Sequence, residues 1–240
     1  MERKAIIIGG YDHEKNVPSI GVSQDIAAWR SFLSSPLGGS WRHDEINVIA
    51  NADAAAVANS VEDASSADYA FVCFSGHGYL TKDKHGFNET KLILRDGVEI
   101  SERDLNTGRS WCMAIFDCCR KMESEEPAAS LESLKESFAL RPANEARAIY
   151  EQALRRCEKG YVRVYSADVD EGAEDYYSFT RALIDSATDM VREIQEEVLR
   201  VDKAVESARP KLGPKQNPVY VGGRRLAHFP FAVCPVKFTG

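Results

Sequence analysis

Residues Asp68 to Ser75 read Asp-Tyr-Ala-Phe-Val-Cys-Phe-Ser, an apolar run with no polar face. A strand with one wet side alternates polar and apolar residues, whereas a strand buried on both sides does not. A run this short fits a strand better than a helix. It therefore belongs at the centre of a sheet covered on both faces. Lys4 to Gly9, stopped by Gly9-Gly10, and Ser110 to Asp117 are strands of the same kind. Glu45 to Ala50 and Tyr161 to Ser166 add two more. Ser23 is the expected N-cap of a helix through Leu33, with Ile26, Ala27, Trp29, Arg30 and Leu33 on its face. Asp53 caps an Ala-rich helix to about Ser65. Lys91 to Ile100 folds back at Asp96-Gly97, a strong hairpin signal. This order predicts an α/β fold with a mostly parallel central sheet.

The second half is more polar at its start. Lys121 to Ser130 is acidic, contains Pro127 and reads as an exposed loop. Helices are expected at Leu131–Ala139 and Ala143–Glu158, separated by Arg141-Pro142. Tyr177–Ser186 reads as a helix. Asp189–Ser207 reads as one amphipathic helix whose stripe of Met190, Val191, Ile194, Val198, Val201 and Val205 faces the core. Pro210 to Pro218 is a loop, followed by short strand-like pieces from Val219.

Composition narrows the function. The chain of 240 residues carries a net charge of −7, and its basic pairs, Arg155-Arg156 and Arg224-Arg225, are isolated. Duplex binding requires a basic face to neutralise phosphates, so nucleic acid is not an expected partner. No run approaches the ~18 apolar residues of a membrane span, and Met1 to Gly10 lacks the features of a signal peptide. A cytoplasmic protein is expected. The six cysteines, at 73, 112, 118, 119, 157 and 234, form no C-x-x-C pair and read mainly as small buried hydrophobes.

The chemistry concentrates at two strand ends. One strand ends in Ser75-Gly76-His77-Gly78 and another in Asp117-Cys118-Cys119-Arg120. Ligands of α/β sheets bind beyond the carboxyl ends of parallel strands. If these two strands are neighbours, a histidine and a cysteine share one crevice. A thiol needs such a base to become a nucleophile. Side chains alternate along a strand, so only one of Cys118 and Cys119 can face the crevice.

These motifs resemble those of the caspase-like cysteine peptidases, and among them the metacaspases and their prokaryotic relatives. The family pattern is a strand ending S-G-H-G followed by a strand ending D-x-C. Gly21-Val22-Ser23-Gln24-Asp25 resembles the family's G-C-x-N-D segment, with Val22 in place of Cys. Tyr165-Ser166-Ala167 and Ser178-Phe179-Thr180 resemble the strand and helix start of its small-subunit region. The resemblance implies a single domain over residues 1–240, a caspase-like three-layer αβα sandwich. Residues 1–120 would be the large-subunit-like part, 121–160 a linker-like segment and 161–240 the small-subunit-like part. It implies His77 as general base and acid and Cys119 as nucleophile, leaving Cys118 as buried packing. The N–H groups of Gly78 and Cys119 would form the oxyanion hole. Asp25, Ser75 and Asp117 would line a P1 pocket for Arg, then Lys.

No cofactor is expected. The acidic loop that helps many metacaspases bind calcium is missing after Gly78, and Glu102 and Asp104 read as solvated surface carboxylates. The expected partners are protein substrates and an activating protease or regulator, in a cell-death, stress or defence pathway. With no segment expected ahead of the first strand, activation would use another protein or residues 121–160, where Lys121, Lys135, Arg147, Arg155 and Arg156 are basic cut sites. The alternatives are a catalytically silent interaction module, a protease preferring Asp at P1, and a nucleotide-binding domain using Gly9-Gly10. The last lacks G-x-G-x-x-G and a P-loop Lys.

Overall fold

The computed structural model describes residues 1–10, 20–108, 111–118, 140–168, 178–214, 216–222 and 228–235. In chain order the elements are Arg3–Gly9 (β1), Ile20–Ser34 (α1), Ile46–Ile49 (β2), Ala54–Ala64 (α2), Tyr69–Gly76 (β3), Gly78–Lys82 (β4), Asn88–Ile93 (β5), Glu99–Ser101 (β6), Trp111–Cys118 (β7), Ala143–Arg155 (α3), Gly160–Tyr165 (β8), Phe179–Met190 (α4), Val198–Arg200 (β9), Val201–Ala208 (α5), Val219–Val221 (β10) and Pro230–Val233 (β11).

The main sheet runs β10-β8-β7-β3-β1-β2. All its neighbours are parallel except β10, which is antiparallel to β8. The apolar run at β3 is central, as its lack of a polar face requires. Alternate side chains split the core in two. Tyr69, Phe71 and Cys73 of β3 and Met113 and Ile115 of β7 face α1, α3, α4 and α5. Ala70, Val72 and Phe74, with Ala114, Phe116 and Cys118, face α2 and the small sheet β4-β5-β6. This is the expected caspase-like layering of helices around a mostly parallel sheet. No helix among the described residues is long and apolar enough to cross a membrane.

Three readings change. The helix α1 begins at Ile20, so Ser23 lies inside it rather than capping it. The expected helix Asp189–Ser207 is two helices: α4 ends at Met190, β9 follows, and α5 starts at Val201. Its stripe is nevertheless core, with Val191, Val201 and Val205 buried. Pairing of β9 with the distant β11 overrides the local helical period, because propensity yields to tertiary contact. The small strand β4, directly after His77, has no counterpart in the sequence reading. The expected loop at Lys121–Ser130 and helix at Leu131–Ala139 lie outside the described residues.

At the amino end of β1, charges are buried and matched. The Arg3 guanidinium is fully buried, stacks 4.4 Å from the Trp41 ring and donates to the Gly39 carbonyl at 3.1 and 3.2 Å. Gly39 has φ +92°, and a Cβ there would strike the Tyr150 ring at 2.7 Å. Glu45 accepts two hydrogen bonds from Arg147, at 2.7 and 2.5 Å, and one from the Arg42 N–H at 2.7 Å. Burial alone would raise the Glu45 carboxyl, but Arg147, the Arg42 amide and Arg3 outweigh it and hold it below the usual range. These bonds fasten α3 to β1, and Ala146, Tyr150 and Leu154 bury the helix in the core. Arg147 is therefore held in a packed helix and is not an accessible cut site, because a protease needs an extended, exposed segment.

Removing one partner of a buried charge pair strands the others. Glu45→Ala should lower unfolding free energy by about 3–5 kcal/mol in urea titration, and an unchanged midpoint would show the cluster to be solvated. Native-state trypsin digestion should spare Arg147 until the protein unfolds.

Candidate active site

The two motif-bearing strands are neighbours. β3 and β7 pair in parallel, with Ser75 opposite Asp117 and Gly76 opposite Cys118. The chain therefore leaves these adjacent strands at His77 and Cys119. His77 is exposed. Gly76 has φ +153°, and a Cβ there would meet Gly10 Cα at 2.7 Å. The Gly10 N–H donates to the Ser75 carbonyl at 2.7 Å. The backbone just after β1 thus presses against the turn that presents His77, and Gly76 is held to glycine by both its φ and this close approach.

After His77 the chain enters β4. The Ile93 N–H donates to the His77 carbonyl at 2.9 Å, which makes residues 77 and 93 a bonded pair. Gly78 opposite Leu92 is then a non-bonded pair, and its N–H points away from β5. Cys118 is 3% exposed and lies in the core behind this turn, and a Cβ on Gly78 would come within 3.0 Å of its sulfur. Cys118 is thus the packing thiol of the Cys118-Cys119 pair.

Ser75 and Asp117 continue the row of side chains that faces α1 and α4. Asp25, from the second turn of α1, reaches the same place. All three are buried. Ser75 Oγ donates to Asp25 Oδ2 at 2.5 Å, and Ser178 Oγ donates to Asp25 Oδ1 at 2.7 Å. The Thr180 N–H, in the first turn of α4, donates to Asp117 Oδ2 at 2.7 Å. A helix N-terminus favours negative charge there. Two buried carboxylates thus lie close enough to repel each other. Burial, then repulsion by Asp117, raises the Asp25 carboxyl against the bonds from Ser75 and Ser178, leaving it pushed up to about 7.

The structure therefore brings together Asp25, Ser75 and Asp117 on one side of the strand ends and places His77 and Gly78 at the turn above them. Cys119 and Arg120 lie outside the described residues. Ser178 and the Thr180 amide are the members that sequence reasoning missed. Ser178-Phe179-Thr180 was legible as a helix start, but nothing local said which carboxylates it would meet. Glu102 is not a solvated surface group: it is 3% exposed and lies 3.5 Å from the Arg163 guanidinium. Asp104 accepts the Ser101 N–H at 2.9 Å, capping a single turn.

A mostly parallel sheet flanked by helices, with a glycine-flanked histidine directly after its central strand, has the layering of a caspase-like fold. The chain belongs to the caspase domain family, peptidase C14, whose model matches residues 2–228. That family is one of cysteine peptidases. Among solved structures the chain is similar to protein GSU0716 from Geobacter sulfurreducens, with TM-score 0.57 and 13% identity, covering 97% of this chain and 99% of that one. It is also similar to caspase-1 from Spodoptera frugiperda, with TM-score 0.54 and 12% identity, covering 92% and 87%. At such identities the likeness is one of fold. No curated protein matches the chain in sequence.

The raised Asp25 carboxyl carries a stability signature. An unfolded aspartate titrates near ~3.9. Between there and about 7 the folded protein retains a proton that the unfolded chain has lost. Stability should therefore fall as pH rises through this window. Asp25→Asn cannot ionise, so it should be more stable than the parent at pH ~8, by on the order of 1–3 kcal/mol. Urea titrations at both ends of the window check this, and parallel declines in the two proteins would mean that another group titrates.

Proposed function

We propose that the protein is a cysteine endopeptidase that cleaves protein chains after Arg, and less readily after Lys, with a His77–Cys119 dyad. The observation that carries this reading is the β3–β7 register. It supports the reading because Gly76 and Cys118, the residues just before His77 and Cys119 in the chain, lie opposite each other, with buried Asp117 of β7 and buried Asp25 of α1 close by.

In this mechanism His77 takes the Cys119 thiol proton and the thiolate attacks the carbonyl carbon of the scissile bond. The N–H groups of Gly78 and Cys119 receive the developing oxyanion, and one such donor is worth roughly 3–4 kcal/mol. The tetrahedral intermediate collapses as His77 returns the proton to the leaving amine, leaving a thioester on Cys119. Water, deprotonated by His77, then hydrolyses the thioester and restores the thiol. The orientation of the Gly78 N–H away from β5 suits this role. The exposure of His77 leaves it open to substrate and water.

Asp25 and Asp117 favour a cationic P1 side chain and repel an acidic one. At ~4 Å each unit pair is worth on the order of 4 kcal/mol at an effective dielectric near 20, before desolvation. Arg surpasses Lys because its planar fork can bond a carboxylate twice. The pattern of Asp25, Ser75 and Asp117 is the metacaspase one. A regulated cytoplasmic protease of a cell-death, stress or defence pathway fits it. Protein substrates and an activating protease are its partners, and no metal or other cofactor takes part. With Arg147 locked in α3, processing falls to Lys121 or Lys135, or to the end of α3 at Arg155 and Arg156.

Cys119→Ala and His77→Ala should each lower turnover by at least roughly a thousandfold while the protein stays folded. Cys118→Ala should keep most activity, and the reverse pattern would shift the nucleophile by one residue. A randomised peptide library should give cleavage after Arg and Lys, and a profile led by Asp at P1 would overturn the pocket assignment.

A further inference from the structure

His77 reaches solvent, so the place of its imidazole depends on how its main chain is held. The chain just after β1 and the end of β5 hold it from two sides. The Gly10 N–H donates to the Ser75 carbonyl at 2.7 Å, and the Ile93 N–H donates to the His77 carbonyl at 2.9 Å. The two holders are also joined to each other. The Arg95 N–H donates to the Ala52 carbonyl at 2.8 Å, and the Ala52 N–H donates to the Gly9 carbonyl at 3.3 Å. These bonds close a main-chain circuit around the Ser75-Gly76-His77 turn. Arg95 is latched a second time, because its guanidinium donates to Asp53 Oδ2 at 3.1 Å while Asp53 Oδ1 caps α2 by accepting the Ala56 N–H at 2.8 Å.

The circuit closes because residue 10 has no side chain. A Cβ on Gly10 would stand 3.0 Å from Phe74 Cζ, 3.1 Å from Gly76 Cα and 3.1 Å from the Ile93 carbonyl oxygen. Carbon atoms in ordinary contact lie ~3.5–4.0 Å apart. Gly10 is not in the positive-φ region, so space rather than backbone conformation requires glycine there. Phe74 belongs to the packed core, but Gly76 precedes His77 in the chain and Ile93 is bonded to it. With the end of β5 anchored at Arg95, Ile93 has little room to retreat, and the turn must give instead. We propose that Gly10 is a positioning residue for His77: by letting the ends of β1 and β5 close on the turn, it fixes the imidazole and the following Gly78 N–H before substrate arrives. The inference rests on His77 acting as the base, as read above, and adds the residue that places it. Placement matters steeply, because a shift of ~1 Å in a catalytic group can cost about a hundredfold in rate.

Gly10→Ala is the test, made in the intact protein with a peptide cleaved after Arg and with isotope-labelled histidine followed by NMR. The His77 ring signals are identified by their loss in His77→Ala. In Gly10→Ala, kcat should fall about tenfold or more while KM stays within about twofold of the parent. The His77 ring signals should move, while those of His43, beside Arg30, and His228, beside Tyr220, should not. A parental kcat, or a lowered kcat with unmoved His77 signals, would overturn the inference while leaving the dyad in place. If the parent cleaves no peptide, the peptidase reading falls, and the His77 signals alone decide whether Gly10 places the ring. Should Gly10→Ala fail to fold, amide exchange in the parent decides. The N–H groups of Gly10, Ile93 and Arg95 should then exchange as slowly as those of β3, and exchange at the rate of open chain would show that no closed circuit holds the turn.

Discussion

Parallel pairing of β3 with β7 is the interaction on which the rest of this molecule depends. It joins the two most buried strands, from Tyr69 opposite Trp111 to Gly76 opposite Cys118. Parallel strands need covered faces, and α1, α3, α4 and α5 on one side and α2 with the small sheet on the other supply that cover. The same pairing fixes which residues emerge together at the carboxyl ends. A slip of one residue would turn Ser75 and Asp117 to opposite faces. It would also send the thiol of Cys118 out of the core. Register is therefore at once a packing decision and a chemical one.

The two ends of the sheet treat charge in opposite ways. Near the amino end of β1, Arg3, Glu45 and Arg147 meet their partners, and the Glu45 carboxyl sits below its usual range. At the carboxyl ends, Asp25 has hydroxyl donors and a like charge for company, and its carboxyl sits well above. The first arrangement fastens α3 to β1. The second holds two carboxylates close together in the interior. Holding like charges close in a buried place costs stability, as the raised Asp25 carboxyl shows.

The start of α4 connects these themes. Ser178 and the first turn of α4 bind carboxylates from α1 and β7, so the carboxy-terminal half of the chain fastens groups supplied by the amino-terminal half. The indole of Trp29 completes the connection from α1. Any rearrangement that moved Ser178 and Thr180 would take hydrogen bonds from Asp25 and Asp117.

The sequence by itself determined the strand and helix order of the first half, because apolar runs and caps such as Asp53 are local signals. It also pointed to the fold family, because Ser75-Gly76-His77-Gly78 and Asp117-Cys118-Cys119 resemble that family's strand-end motifs. It gave no sign of Arg3 as a buried cation, which is legible only once Trp41, Gly39 and Glu45 surround it. It misjudged residues 189–207, where a periodic stripe satisfied both a helix and the strand that β11 claims. Tertiary structure alone decided that Ser178 and the Thr180 amide meet Asp25 and Asp117 and that Glu102 lies beside Arg163. Each of these is a contact between segments remote in sequence. Local propensity carries no information about such contacts, because burial and charge at one residue are set by what the rest of the chain brings against it.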